Sequence, residues 1–253
     1  MAIINGIVLP YPVFISLGTA VWVIYTLDHL LDAHSIQHTA HTFRHAFHQR
    51  HKKKIGLLCL FIGAISLLNT FLFLPDNIIK NGMILSIIVL CYLGIINIKL
   101  LPFPTFKEFT VALIYTSGIA LPVVSSIDTL HPSLIIQIAL FLVLASINLL
   151  EFALFDFESD TKDNQPSGTR VLGYHGLKRR IQVLIVLFIL LMMSAIYVYE
   201  MDKLILLTFF TMGASLILIY ARSDFFSKDE YFRIFGDFAF LFPGIYLIIN
   251  HYS

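Results

Sequence analysis

Stretches of about 20 apolar residues recur along this chain, and each is long enough to cross the hydrocarbon core of a bilayer. Eight are expected as membrane spans, at roughly 5–31, 55–75, 78–98, 106–126, 133–156, 180–199, 203–221 and 232–250. Pro10 and Pro12 fall early in the first, so that helix starts after them or is kinked by them. The fold class this specifies is all-α, a polytopic membrane helix bundle of about eight transmembrane helices. Residues 1–253 read as one integral membrane domain, with no room between spans for a soluble one.

Composition agrees with this reading. Of 253 residues 58% are hydrophobic and 13% charged, with a mean hydropathy of +0.83. A soluble domain carries roughly twice that charge. The bilayer is therefore the partner the composition names, and no nucleic-acid partner is expected. Cys59 and Cys91 both sit in apolar runs, which argues against a disulfide framework or a thiolate metal site. The N-terminus lacks the basic segment of a cleavable signal.

Charge is distributed unevenly about the spans. With the N-terminus outside, 15 of the 17 Lys and Arg fall in inner loops, and Lys80 and Lys203 alone fall outside. The positive-inside rule then fixes the orientation. We expect an integral protein of a bacterial inner (plasma) membrane, with both termini outward and loops 33–54 and 157–179 cytoplasmic.

Two acidic motifs end up on that cytoplasmic side. In NLLEFALFDFESD, Asp156 and Asp160 are four apart and share a helical face, with Asn148 two turns earlier. In YTLDHLLDA, Asp28 and Asp32 repeat the spacing, with Tyr25 three residues before. Acids where a hydrophobic helix meets water are costly to place unless something cationic offsets them. Two such pairs suit Mg2+, a hard cation that takes carboxylate oxygens and leaves positions for substrate phosphates. We expect all four aspartates in one divalent-cation site, because neither pair has a basic residue adjacent in sequence. The bland alternative is a pair of solvated helix ends.

A phosphate facing the metal needs further cations. Lys99 and Lys107 flank the turn between the third and fourth spans, and Arg170 follows the second motif with a guanidinium that can bind phosphate bidentately. Each could equally be a positive-inside anchor. Glu151 is the deepest acid in its helix, a candidate for binding an acceptor or accepting a proton, or simply a packed neutral side chain. Arg233 and Asp237, four apart, are expected to pair on the last span.

His34, His38, His41, His45 and His48 recur at heptad spacing, which puts all five on one stripe if the segment is helical. His29 and His51 extend the cluster. Three readings stay open: an amphipathic helix lying on the membrane, its basic end at Arg50 to Lys54 held by headgroups; a stripe facing phosphate; and a Zn or Fe site on the HxxxH pairs.

The two DxxxD motifs, the Tyr92…Lys99 element between them and the stretch from Gly118 to Pro122 resemble the UbiA family of intramembrane prenyltransferases. The resemblance follows the order of helices and long loops over the whole chain. It implies a helical bundle whose cavity opens to lipid, and transfer of a prenyl group from its diphosphate to an aromatic or lipid-like acceptor. Mg2+ would be held by Asp28, Asp32, Asp156 and Asp160, which would be the catalytic acids. Tyr92, Lys99, Lys107 and Arg170 would bind the diphosphate, and Tyr25, Asn148 and Glu151 would face the acceptor or cavity. Relative to the family pattern, Ile24 and Tyr25 replace the leading ND, Ile36 replaces a third acid, Gly168 comes late, and one helix is lacking before the first motif. Those departures favour a first alternative, a non-catalytic protein that binds or transports a polyprenyl phosphate or a cation. A second alternative is a His-box metal-dependent membrane oxygenase, weakened because its histidines all come from one loop.

Overall fold

The protein is described by a computed structural model covering residues 1–2, 6–35, 38–39, 43–97, 107–162 and 169–244, with residues 35, 43–45, 96–97, 160 and 169–171 described by backbone alone. The described residues form helices α1 (Tyr11–Ser35), α2 (Phe43–Phe73), α3 (Asp76–Asn97), α4 (Lys107–Val124), α5 (Pro132–Phe155), α6 (Phe157–Lys162), α7 (Thr169–Tyr197), α8 (Lys203–Ala221), α9 (Ser223–Phe226) and α10 (Tyr231–Ala239). No strand is present among them. Seven helices are long and apolar enough to cross a membrane: α1 to α5, α7 and α8. The expected eighth span, 232–250, begins as the nine-residue α10, and its residues 245–250 lie outside the described residues.

Local chemistry sets most of the helix ends. α1 starts at Tyr11 and carries Pro12 in its first turn, where a missing amide proton costs nothing. His131 precedes α5 and Pro132 opens it. Asp202 caps α8, its carboxylate accepting from the amides of Leu204 (2.8 Å) and Ile205 (3.4 Å). α7 begins well before the expected residue 180. Within its first turns Gly173 adopts φ 63°, a left-handed conformation that suits glycine.

Packing centres on α5, which contacts α4, α7, α8 and α10. Leu140, Leu144 and Ile147 of α5, Leu177 and Ile181 of α7, and Leu216 of α8 are at most 1% exposed. The outward faces are apolar instead: Leu57, Leu60, Leu72 and Phe73 on α2 and Val183, Val186 and Leu190 on α7 are exposed, as a bilayer requires. α1 and α2 form a separate hairpin held by polar groups. Ser16 Oγ lies 2.9 Å from Thr70 Oγ1, Thr19 donates to Ser66 at 2.8 Å, and Asn69 Nδ2 donates to Pro12 O and Ser16 Oγ, both at 2.8 Å. Hydrocarbon gives little hydrophobic drive between helices, so such side-chain bonds and close packing hold them together.

Alternation of the spans brings the ends of α1, α3, α5 and α8 and the starts of α2, α4 and α7 to one end of the bundle. Both acidic motifs lie at that end.

Candidate functional site: an apolar cleft with charged groups at its mouth

The last turns of α1 carry Tyr25, Asp28, His29 and Asp32. Packing against α2 fixes their direction: His29 is buried, its ring 4.0 Å from that of Tyr25 and 5.4 Å from that of His48 on α2, measured between centroids. That leaves Asp28 and Asp32 facing the neighbouring hairpin of α3 and α4. Lys107, the first residue of α4, places its Nζ 3.4 Å from Asp32 Oδ2. Tyr92, near the end of α3, lies within electrostatic reach of Lys107, Asp28, Glu108 and Asp32. Its hydroxyl is buried and has no hydrogen-bond partner among the described residues. Three helices thus deliver two carboxylates, an ammonium and a phenol to one place.

That place is the mouth of a cleft of about 340 Å³ between the α1–α2 and α3–α4 hairpins. Asp28, Tyr25 and Tyr92 line one end. Its length is apolar, with Val21, Leu67, Phe71, Val89 and Ile114 along the walls, and it reaches Leu74 at the opposite end of the bundle. A polar mouth over an apolar slot of this size fits an amphiphile with a polar head and a hydrocarbon tail.

The second motif is built differently from the expectation. α5 ends at Phe155, and Asp156 follows as its C-cap at φ −82°, ψ −1° before α6 begins. The helical run is broken at Asp156 itself, between the turns that carry Asn148 and Asp160. Asn148 is buried against α10, its Oδ1 with no hydrogen-bond partner among the described residues. The side chain of Asp160 lies outside the described residues.

Asp156 also has a cation. Arg233 of α10 pairs with Asp156 through Nη2 and with Glu230 through Nε at 3.0 Å. Its guanidinium lies over the rings of Phe232 (4.9 Å) and Phe152 (5.5 Å). The expected Arg233–Asp237 pair is therefore replaced by one between α10 and α5. Each acidic motif has no basic residue adjacent in sequence but meets one from a distant helix: Lys107 meets Asp32, and Arg233 meets Asp156. These contacts span 75 and 77 residues, a separation at which sequence spacing carries no signal. Tyr25 of α1 is within electrostatic reach of Arg233.

Glu151 is 1% exposed, and neither of its oxygens has a hydrogen-bond partner among the described residues. Lys99 and the side chain of Arg170 lie outside the described residues. The histidine segment is not one helix. α1 ends at Ser35, His38 sits in a bend, and α2 starts at Phe43. His34 and His48 therefore belong to different helices, with Gln49 Nε2 tying them together by donating to Ala33 O (3.2 Å) and His38 O (2.9 Å). His41 and the side chain of His45 lie outside the described residues.

As a cation site, the first motif offers the right donors, two carboxylates at a polar mouth, with Lys107 already at one of them. The second motif offers Asp156 only if Arg233 moves. Among the described residues no three His, Cys, Asp or Glu side chains converge closely enough to hold a metal ion. Compared with protein-family models, curated proteins and solved structures, the chain matches none.

Proposed function

We propose that this membrane protein binds a polyprenyl diphosphate in the cleft and transfers its prenyl group to an aromatic or lipid-like acceptor, as the UbiA resemblance implies. The observation that carries the reading is the joining of Asp28, Tyr92 and the Asp32–Lys107 pair to one long apolar slot. The prenyl tail lies between the hairpins, and the diphosphate stands at the mouth, on the cytoplasmic side by the positive-inside rule. Asp28 and Asp32 would hold Mg2+, which supplies neutralising charge to a diphosphate that bare carboxylates would repel. Lys107 can turn from Asp32 to a phosphate oxygen, and the Tyr92 hydroxyl can donate to the same head group. The allylic C–O bond breaks, diphosphate leaves with its electron pair, and the acceptor forms the new bond and gives up a proton. Apolar walls keep water from quenching the allylic cation, and rings such as Phe71 and Tyr115 offer it π-faces.

One observation favours the non-catalytic alternative: Lys107 and Arg233 already neutralise Asp32 and Asp156. On that reading the chain binds polyprenyl phosphate with its own cations. Incubation with a panel of prenyl diphosphates, with and without Mg2+, separates the two. Transfer predicts Mg2+-dependent release of diphosphate when an acceptor is present, lost in Asp28→Asn and reduced in Tyr92→Phe. Binding that ignores Mg2+ and releases nothing would leave the alternative standing, and no binding at all would remove both.

A further inference from the structure

A second groove lies on another flank of the bundle. α4 and α7 each pack on α5 but hardly touch one another, which leaves a gap over α5 near the motif end. Ser146 and Leu150 of α5 form its floor, and Phe109 of α4 and Leu172, Val183 and Leu184 of α7 its walls, enclosing about 620 Å³. Val183 is 60% and Phe109 47% exposed, so the groove opens sideways, where the bilayer lies. Among the described residues, Arg179, Arg180 and Glu108 are the charged groups of its lining.

The sequence of α7 explains this arrangement. Leu177 and Ile181, both fully buried, turn one face onto α5. Gly176, Arg180 and Leu184 then fall on one flank at intervals of four, giving a gap, a cation and an apolar wall in turn. Lys178 lies beside them, its Nζ 4.6 Å from the centroid of the half-exposed Tyr174 ring. An aromatic ring with a long cation at a helix start is the usual pattern at the headgroup level.

We propose that this groove binds an acidic glycerophospholipid of the surrounding leaflet, one acyl chain over Leu150 and the phosphodiester at Arg179 and Arg180. A sideways apolar gap in a bilayer fills with hydrocarbon. Guanidinium groups bind phosphate oxygens in a planar fork that matches them. Among the described lining residues, two arginines against the one acid Glu108 make the rim net positive, which repels the ammonium of a choline headgroup and accepts a glycerol one. This site is separate from the Asp28 cleft and stands whether or not prenyl transfer is found.

Native mass spectrometry of the full-length protein, titrated with phosphatidylglycerol or phosphatidylcholine of the same acyl chains, tests it. Phosphatidylglycerol should be retained in preference, and the preference should fall about fivefold for each arginine replaced in Arg179→Gln and Arg179→Gln/Arg180→Gln. Val183→Trp, which puts an indole into the groove, should lower retention of both lipids with the arginines intact. Equal retention of the two lipids, or a double variant with the original preference, overturns the proposal. So does displacement of phosphatidylglycerol by inorganic phosphate, which would mean that the arginines take free phosphate and the groove takes no tail. Should the double variant fail to fold, Arg179→Gln alone decides, because Arg179 is exposed.

Discussion

Arg233 is fixed by two carboxylates and two aromatic rings, and the backbone just before it is shaped to allow this. Asp229 and Glu230 adopt φ of 49° and 57°, a left-handed conformation that L-residues enter at a cost. In return, Glu230 comes within 3.0 Å of Arg233 Nε across three residues. The Asp156 and Arg233 side chains are only 14% and 13% exposed, so removing either partner leaves a charge with little water to receive it. Arg233→Gln should therefore destabilise the fold by about 1–3 kcal/mol. In a double-mutant cycle with Asp156→Asn, the coupling should be about 0.5–3 kcal/mol, read from unfolding in detergent. Additive losses would show that the pair does not anchor α10. This pairing was beyond the reach of the sequence, where Asp237 four residues on is the nearer acid and Asp156 is 77 residues away.

The chain's helices were readable wherever apolar length decided them. The fifth span, expected at 133–156, is α5 at Pro132–Phe155, because Pro132 opens it and Asp156 closes it. Periodicity was a poorer guide where no apolar run supports the helix. The heptad of histidines suggested one amphipathic helix, yet the segment divides between α1 and α2, since neither tertiary packing nor lipid favours a polar helix there. The short α10 was equally hard to foresee, because what places it is a close approach to α5. A Cβ at Gly236 would fall 2.5 Å from Asn148 Oδ1 and 2.8 Å from Phe152 Cε1, so only glycine fits. Gly236→Ala should push α10 off α5 and cost about 1–3 kcal/mol. Amide exchange should quicken across residues 231–239 while the α1–α2 hairpin keeps its protection. Unchanged exchange in α10 would mean that the helices are not in contact there.

At the scale of the molecule, two separate hairpins meet across an apolar slot, and the chain's charge gathers at one end of it. The apolar runs announced the bundle, and Asp28, which its spacing from Asp32 singled out, lines one end of the slot. The cations that face those acids come from other helices, and spacing along one helix cannot reveal them. Direction across the bilayer rests on charge alone. By sequence, 15 of 17 Lys and Arg fall in the segments assigned to the motif end, against Lys80 and Lys203 in those of the other. A bias of this size, in loops this short, sets orientation because lysine and arginine resist translocation. The motif end should therefore face the cytoplasm. Single cysteines can test this in a background where Cys59 and Cys91 are replaced by Ala. Ser126, exposed between α4 and α5, and Ser227, exposed between α9 and α10, lie at opposite ends of the bundle. A membrane-impermeant maleimide added to intact cells should label Ser126→Cys and spare Ser227→Cys until the membrane is opened. Labelling of Ser227→Cys in intact cells, with Ser126→Cys protected, would turn the cleft's charged mouth outward, away from any prenyl diphosphate made in the cytoplasm, and the proposed transfer would fall with it.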